Sequence, residues 1–209
     1  MRREEAALRL YDSKMAPNPR RVRIFLAEKG IEVPTVQVDL AKGENRQPDH
    51  LARNPMGGVP VLELDDGTCI AETVAICRYF ERLQPDPPLM GVGPQGEAVV
   101  ETWQRRMEFE IALPIMQVFR NTHAFFKGRI PQVPEWGEVC RAQALKRLEW
   151  LDRELASRPF VAGDAFTIAD ITALCGIDFG RPSGIRLAPE WKHLARWHEA
   201  VSARPSARA

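Results

Sequence analysis

Asn54-Pro55-Met56-Gly57-Gly58-Val59-Pro60-Val61-Leu62-Glu63-Leu64-Asp65-Asp66-Gly67 runs into Thr68-Cys69-Ile70-Ala71-Glu72-Thr73. Pro60 has no N–H for a strand ladder, so Val59-Pro60 marks a strand start or a special turn. A cis peptide bond is expected there, at a cost of about 0.5–1 kcal/mol for X-Pro. It leaves the amide and carbonyl of Val59 facing solvent. Asp66-Gly67 reads as the turn of a hairpin that pairs Val61–Leu64 with Thr68–Ala71. Glu72-Thr73 then opens a helix, where free backbone N–H groups attract a carboxylate.

Outward from this stretch, Leu8 to Tyr11 alternates as a short strand, followed by the loop Asp12-Ser13-Lys14-Met15-Ala16-Pro17. Asn18 is expected to cap a helix with Pro19 at its first position, Val22, Phe25 and Leu26 as its apolar stripe, and Gly30 as its end. Thr35 to Leu40 alternates again, with Val36, Val38 and Leu40 on one face. A polar stretch from Ala41 to Arg53 leads back to Val59-Pro60, and Val74 to Leu83 is a helix packed on the sheet. Pro85, Pro87, Pro88, Gly91, Gly93 and Pro94 form a linker. Beyond it the pattern is helical. Glu97 to Phe126 reads as one long helix, kinked or broken at Pro114. Leu145, Leu148, Leu151 and Leu155 mark a second, and Trp191, Leu194, Trp197 and Val201 a last one. In Phe166-Thr167-Ile168-Ala169-Asp170-Ile171, Thr167 and Asp170 have capping-box spacing, with Phe166 and Ile171 placed as a hydrophobic staple.

Composition narrows the function class. Among 209 residues, 44% are hydrophobic and 27% charged, as in an ordinary globule, and the net charge of +1 offers no field for nucleic acid or anionic membrane. No apolar run approaches the roughly 20 residues of a membrane span. Met1 to Ala7 carries charge without a following apolar signal core. Cys69, Cys77, Cys140 and Cys175 have no Cys-x-x-Cys or zinc-like spacing, so buried, reduced thiols and no metal are expected.

A docking edge at Val59 followed by a polar clamp at Glu72-Thr73 suits a small peptide-like thiol. The whole stretch resembles the glutathione-binding half of cytosolic glutathione transferases. Phe160-Val161-Ala162-Gly163-Asp164 and Thr167-Ile168-Ala169-Asp170 resemble their helical domain, so the likeness runs from Leu8 to about Pro205. Composition and spacing alone suggest α/β. The resemblance implies an α/β thioredoxin-like N-terminal domain plus an all-α C-terminal domain, the glutathione transferase fold. Expected boundaries are a glutathione-binding domain over 8–84, a linker over 85–96 and an all-helical acceptor-substrate domain over 97–209.

The glutathione thiol titrates near 8.5 when free, and the thiolate is the nucleophile. Family members stabilise it with a tyrosine, serine or cysteine near the first strand–helix junction. Counting back from Arg21-Val22-Arg23, the serine position of several classes falls here on Ala16, which offers no hydrogen bond. Ala16-Pro17-Asn18 is similar to the Thr-Pro-Asn of nu-class enzymes, whose asparagine contacts the glutathione sulfur. Asn18 is therefore the leading catalytic candidate, with Ser13 and Tyr11 behind it. The resemblance also implies that Val59, in the turn made by Pro60, pairs its backbone with the cysteinyl unit. Glu72 takes the γ-glutamyl amine and Thr73 its carboxylate. Asn45, Arg46 and Gln47 lie in the loop that meets the glycyl carboxylate, a looser match.

On the long helix, Met116, Phe119, Arg120, His123 and Phe126 share a face at i, i+3, i+4, i+7 and i+10. Arg120 and His123 are unusual on an apolar face unless they line a wet cleft, so the acceptor site is expected there, over the sulfur. The resulting expectation is a cytoplasmic, homodimeric transferase of bacterial or fungal type that lacks the usual catalytic side chain. It conjugates reduced glutathione to small electrophiles. Glutathione-dependent disulfide reduction and a non-catalytic scaffold are the alternatives.

Overall fold

A computed structural model describes residues 8–209; Met1 to Ala7, read above for targeting signals, lies outside the described residues. The chain divides into two compact units, one closing at Pro87 and the other running from Pro88 to Ala207. The first contains β1 (Arg9–Asp12), α1 (Pro17–Lys29), β2 (Thr35–Gln37), α2 (Pro48–Arg53), β3 (Val61–Glu63), β4 (Cys69–Ala71) and α3 (Thr73–Leu83). The sheet order is β2-β1-β3-β4. β1 is parallel to β2 and antiparallel to β3, and β3 is antiparallel to β4. This is the thioredoxin-like arrangement.

The α1 stripe behaves as its spacing demands: Val22 and Phe25 are fully buried, and Leu26 nearly so. Gly30 ends the helix in the left-handed conformation at φ 64°. Lys29, in the last turn, is buried. Its ammonium pairs with Glu81 at 2.5 Å and donates to the carbonyls of Gln84 (2.8 Å), Pro85 (3.0 Å) and Pro87 (2.5 Å). A buried charge needs such partners, and these close the unit.

Three expectations are corrected. The first helix starts at Pro17, with Ala16 as its N-cap, so Asn18 lies inside the first turn and is not the cap. The backbone turn Ala16 N–H to Ser13 O, at 2.9 Å, fixes that start. β2 stops at Gln37 because the Asp39 carboxylate accepts from the amides of Ala41 (2.8 Å) and Lys42 (3.1 Å), turning the chain out of the strand. Val36 is exposed, whereas Val38 is buried. The polar stretch from Ala41 to Arg53 contains α2, a six-residue helix too short for apolar periodicity to announce it.

The second unit comprises α4 (Gly93–Arg106), a π-helical turn (Met107–Ala112), α5 (Leu113–Thr122), α6 (Pro134–Glu154), α7 (Ile168–Asp178) and α8 (Lys192–Ser202). The long helix expected up to Phe126, kinked or broken at Pro114, runs without a gap from Gly93 to Thr122, and its distortion is the π-helical turn just before Pro114. Pro114 cannot donate to the carbonyl four residues back, and its ring would collide with it. The turn before it widens, so that Leu113 N–H bonds Glu108 O, five residues back. The chain leaves helix at His123, and Ala124–Phe126 form a 3₁₀ turn. Leu145 on α6 is exposed; Cys140, Ala144, Leu148 and Leu151 supply the buried stripe. Trp191 precedes α8 as its N-cap, while Leu194, Trp197 and Val201 are its buried residues.

The capping box opens α7 as its spacing implies. The Asp170 carboxylate, with no exposure, accepts from Thr167 N (2.9 Å), Thr167 Oγ1 (3.2 Å), Val161 N (2.8 Å) and Trp197 Nε1 (2.8 Å). Burial pushes its pKa up, and these donors oppose that. Phe166 and Ile171 are both buried.

Candidate functional site

The sheet register collects three segments at one end of the first unit. Tyr11 lies opposite Val61, and Val61 opposite Ala71. The chain after β1, the chain before β3 and the chain after β4 therefore emerge together. They carry Ser13 to Asn18, Val59-Pro60 and Glu72-Thr73 respectively. The Val59-Pro60 bond is cis. Val59 N–H and C=O hydrogen-bond to no partner among the described residues, leaving a short open backbone edge.

Side chains fasten the loop before that edge. Asn45 Nδ2 donates to Gly57 O (2.7 Å) and Arg46 Nη1 to Met56 O (3.3 Å). His50 Nε2 meets Gly58 O at 2.9 Å, and Asn54 Nδ2 donates to the same carbonyl at 3.1 Å. Gly57 has φ 64°, and a Cβ there would lie 2.8 Å from Arg46 Nη1 and 2.9 Å from Asn45 O, so only glycine fits. Asn45 and Arg46 thus hold the loop. Gln47 is the N-cap residue of α2 and makes no side-chain cap bond. His50 and Asn54 were not singled out from sequence; the phrase Asn54-Pro55 preceding two glycines was the signal that a loop needed a side-chain anchor.

Glu72, immediately before α3, has φ 71°, the sole non-glycine positive φ among the described residues. A carboxylate residue held in that region costs on the order of 1–3 kcal/mol. Glu72 is exposed and Thr73 is buried at the first helical position, where no intrahelical carbonyl reaches its N–H.

Tyr11 is 6% exposed, and its hydroxyl donates to Glu63 Oε2 at 2.6 Å, with the Arg53 guanidinium 4.4 Å above the ring. Burial and then the Glu63 bond raise the Tyr11 pKa. The same bond, with Arg53 helping, holds Glu63 below its usual range. Tyr11 belongs to a cluster with Val38 and Val61, against which Val59 packs.

In the second unit, Phe119 stacks on His123 at 4.2 Å between centroids and meets Phe126 edge-on at 5.7 Å. Arg120 is exposed and its guanidinium covers Phe126 at 5.1 Å. Met116 is half-buried on α5. His123 and Phe126 lie beyond the helix, so ring contacts, rather than a common helical face, join them to Phe119. His123 Nδ1 accepts from Phe125 N at 3.1 Å, capping the 3₁₀ turn. Phe179 joins the cluster from the end of α7, 4.8 Å from Phe119; sequence spacing gave no sign of it.

The family model described as "Glutathione S-transferase, N-terminal domain" matches residues 6–82, and "Glutathione S-transferase, C-terminal domain" matches residues 125–205. Glutathione S-transferase 2 of Saccharomyces cerevisiae is 40% identical, over 94% of this chain and 86% of its own length. The chain belongs to the glutathione S-transferase family. The crystal structure of Gtt2 from Saccharomyces cerevisiae superposes with a TM-score of 0.91 at 38% identity, covering 96% of this chain and 98% of that one. A glutathione S-transferase domain-containing protein from Marinobacter aquaeolei gives 0.90 at 39% identity, covering 95% and 98%.

Family membership makes this transferase an enzyme with glutathione as co-substrate, and the residues present suit that tripeptide. It carries carboxylates and an amine, and the site offers an unpaired backbone edge, a helix N-terminus and an exposed carboxylate. The start of α1 adds one more group. A helix leaves its first N–H groups without intrahelical acceptors. Here Pro17 and Pro19 have none to offer, so Asn18 presents the single free amide between them. The Asn18 side-chain Oδ1 accepts from Arg21 Nη1 at 3.4 Å, and its Nδ2 has no acceptor among the described residues. Ser13 Oγ likewise makes no hydrogen bond among the described residues, and Ala16 contributes none.

Proposed function

We propose that this enzyme conjugates reduced glutathione to small electrophiles through a thiolate stabilised at the N-terminus of α1. The observation that carries the reading is the convergence of three open polar groups at one sheet end: the Val59 edge, the Glu72-Thr73 helix start, and the Asn18 amides. Val59 pairs with the cysteinyl unit, Glu72 takes the γ-glutamyl amine, and Thr73 takes its carboxylate through hydroxyl and N–H. Asn45, Arg46 and Gln47 border the glycyl end. Asn18 donates to the sulfur, where the helix N-terminus favours negative charge, and Ser13 is second to it. Tyr11 ranks last because Glu63 already engages its hydroxyl. The lowered thiol pKa raises the thiolate fraction at neutral pH, and the sulfur attacks an electrophilic carbon with loss of the leaving group. Met116, Phe119, Arg120, His123 and Phe126 receive the acceptor, with aromatic faces for an apolar electrophile. The reading includes a cytoplasmic two-fold homodimer, as family resemblance implies.

The test is calorimetric titration with reduced glutathione, with the bound thiolate followed by ultraviolet absorbance against pH. Turnover is then compared between an aryl halide and a small disulfide. Turnover of the halide supports conjugation. Turnover of the disulfide alone replaces conjugation with reduction, and binding without turnover of either leaves a scaffold. His123→Ala should change acceptor kinetics while glutathione affinity holds. A tenfold loss of glutathione affinity with normal acceptor kinetics would remove His123 from the acceptor side.

A further inference from the structure

The turn Ser13-Lys14-Met15-Ala16 joins β1 to α1, and its geometry sets where Ser13 and Asn18 sit. Exposed turns of this size are ordinarily loose. This one is gripped at its centre from two sides. Asp12, at the end of β1, is 1% exposed, and a buried carboxylate requires partners. Arg23 on α1 places Nη1 2.5 Å from Asp12 Oδ1, and Gln37 at the end of β2 donates Nε2 to Asp12 Oδ2 at 2.6 Å. Each partner then uses its other arm on the same residue. Arg23 Nη2 donates to Lys14 O at 3.1 Å, and Lys14 N donates to Gln37 Oε1 at 3.1 Å. Both polar groups of the Lys14 main chain are thus held by side chains that Asp12 orients.

We propose that Asp12, Arg23 and Gln37 form a positioning clamp for the thiolate loop, fixing the turn through the Lys14 backbone so that the α1 N-terminus and Asn18 stay aimed at the sulfur. The three act through the Lys14 main chain and are assigned no contact with the sulfur. The inference rests on the proposed thiolate site for its catalytic half, whereas the clamp itself is a statement about the free protein. The Ser13–Ala16 bond alone closes the turn without fixing its orientation. The clamp references the turn to two different elements, α1 and β2, and errors of about 1 Å at a reacting centre cost on the order of 10²-fold.

The decisive variant is Gln37→Met, which keeps the side-chain length, removes both arms, and sits at the exposed end of an edge strand. Arg23→Lys is the second: it keeps the charge beside Asp12 and loses the fork that reaches Lys14 O. Amide hydrogen exchange on the full-length protein without glutathione should show Lys14 N–H exchanging about tenfold faster in Gln37→Met, with the centres of β1 and α1 unchanged. With glutathione, kcat should fall about 5–10-fold while the glutathione Kd stays within about twofold, and the bound thiol pKa should rise by about half a unit or more. Arg23→Lys should move the same readouts in the same direction. Unchanged Lys14 exchange in both variants overturns the clamp. Faster exchange with unchanged kcat and thiol pKa overturns its role in positioning. Absence of a bound thiolate in the unaltered enzyme overturns the thiolate site and the catalytic half with it, while exchange still decides the clamp.

Discussion

The start of α7 in the second unit and the starts of α1 and α3 in the first solve one problem in opposite ways. At α7 the chain supplies its own anion: Asp170 and Thr167 fill the N-terminus, and Val161 and Trp197 consume the remaining carboxylate capacity. At α1 and α3 no side-chain cap is present. Two prolines remove N–H groups on either side of Asn18, and a strained Glu72 stands before Thr73. A filled helix start stabilises the fold, and an open one is a place for someone else's negative charge.

Exchanging the two roles breaks the comparison most visibly at Asp170. Asp170→Ala strands the buried donors of Val161 and Trp197, each worth about 1–3 kcal/mol, so a total loss of about 2–6 kcal/mol is expected in denaturant unfolding of the full chain. Glutathione affinity of the folded fraction should not change. Thr73→Ala should do the reverse. Glutathione binding weakens by about 1–3 kcal/mol in calorimetry as a charge-assisted contact is lost, and the melting temperature stays put. Equal affinity in Thr73→Ala would show that α3 is not the open start described here. Thr167→Ala, which removes the cap bond from Ala169 N and the hydroxyl's bond to Asp170, should cost about 1–2 kcal/mol of stability.

At α1 the expected effect is on a proton. Asn18→Ala should raise the pKa of the bound thiol by roughly half to one unit, read from thiolate absorbance against pH, and Ser13→Ala should leave it near the original value. The opposite ranking would move the thiolate contact to Ser13. The smallest effect concerns Glu63. Its folded pKa lies below the ordinary 4.5 because Tyr11 and Arg53 favour the charged form. Its contribution to stability is therefore complete above about pH 4.5 and is lost as pH falls through the lower folded value. Glu63→Gln should flatten the acid limb of the stability profile slightly. An unchanged limb would remove Glu63 from the acid response.

The sequence announced whatever a few adjacent residues decide. Val59-Pro60, the Asp66-Gly67 turn and the Thr167/Asp170 pair are each complete within six residues, and each appears as read. The start of α1 was misread because Pro17 and Pro19 both suit a first helical turn; only the backbone turn from Ser13 to Ala16 chooses between them. His50 and Asn54 escaped notice because their partners are loop carbonyls, which carry no side-chain signature. The spacing of the acceptor candidates suggests one helical face through Phe126 because periodicity does not report that the helix ends at Thr122, ahead of His123 and Phe126. Their association through ring contacts, with Phe179 added from α7, is tertiary packing that spacing cannot encode.

The widened turn at Met107–Ala112 also has an arithmetic consequence. One residue beyond the α-helical count advances the azimuth of everything after it by about 100°. Removing a single residue from this turn would return Leu113 to ordinary pairing and swing Phe119 about a quarter-turn away from Phe179. A Cβ on Gly176 would come within 2.8 Å of Ala112 Cβ, so α7 lies hard against the widened segment and leaves little room for it to relax. Length in this segment is therefore under tighter restraint than residue identity: a variant library here should tolerate substitutions more readily than a one-residue deletion.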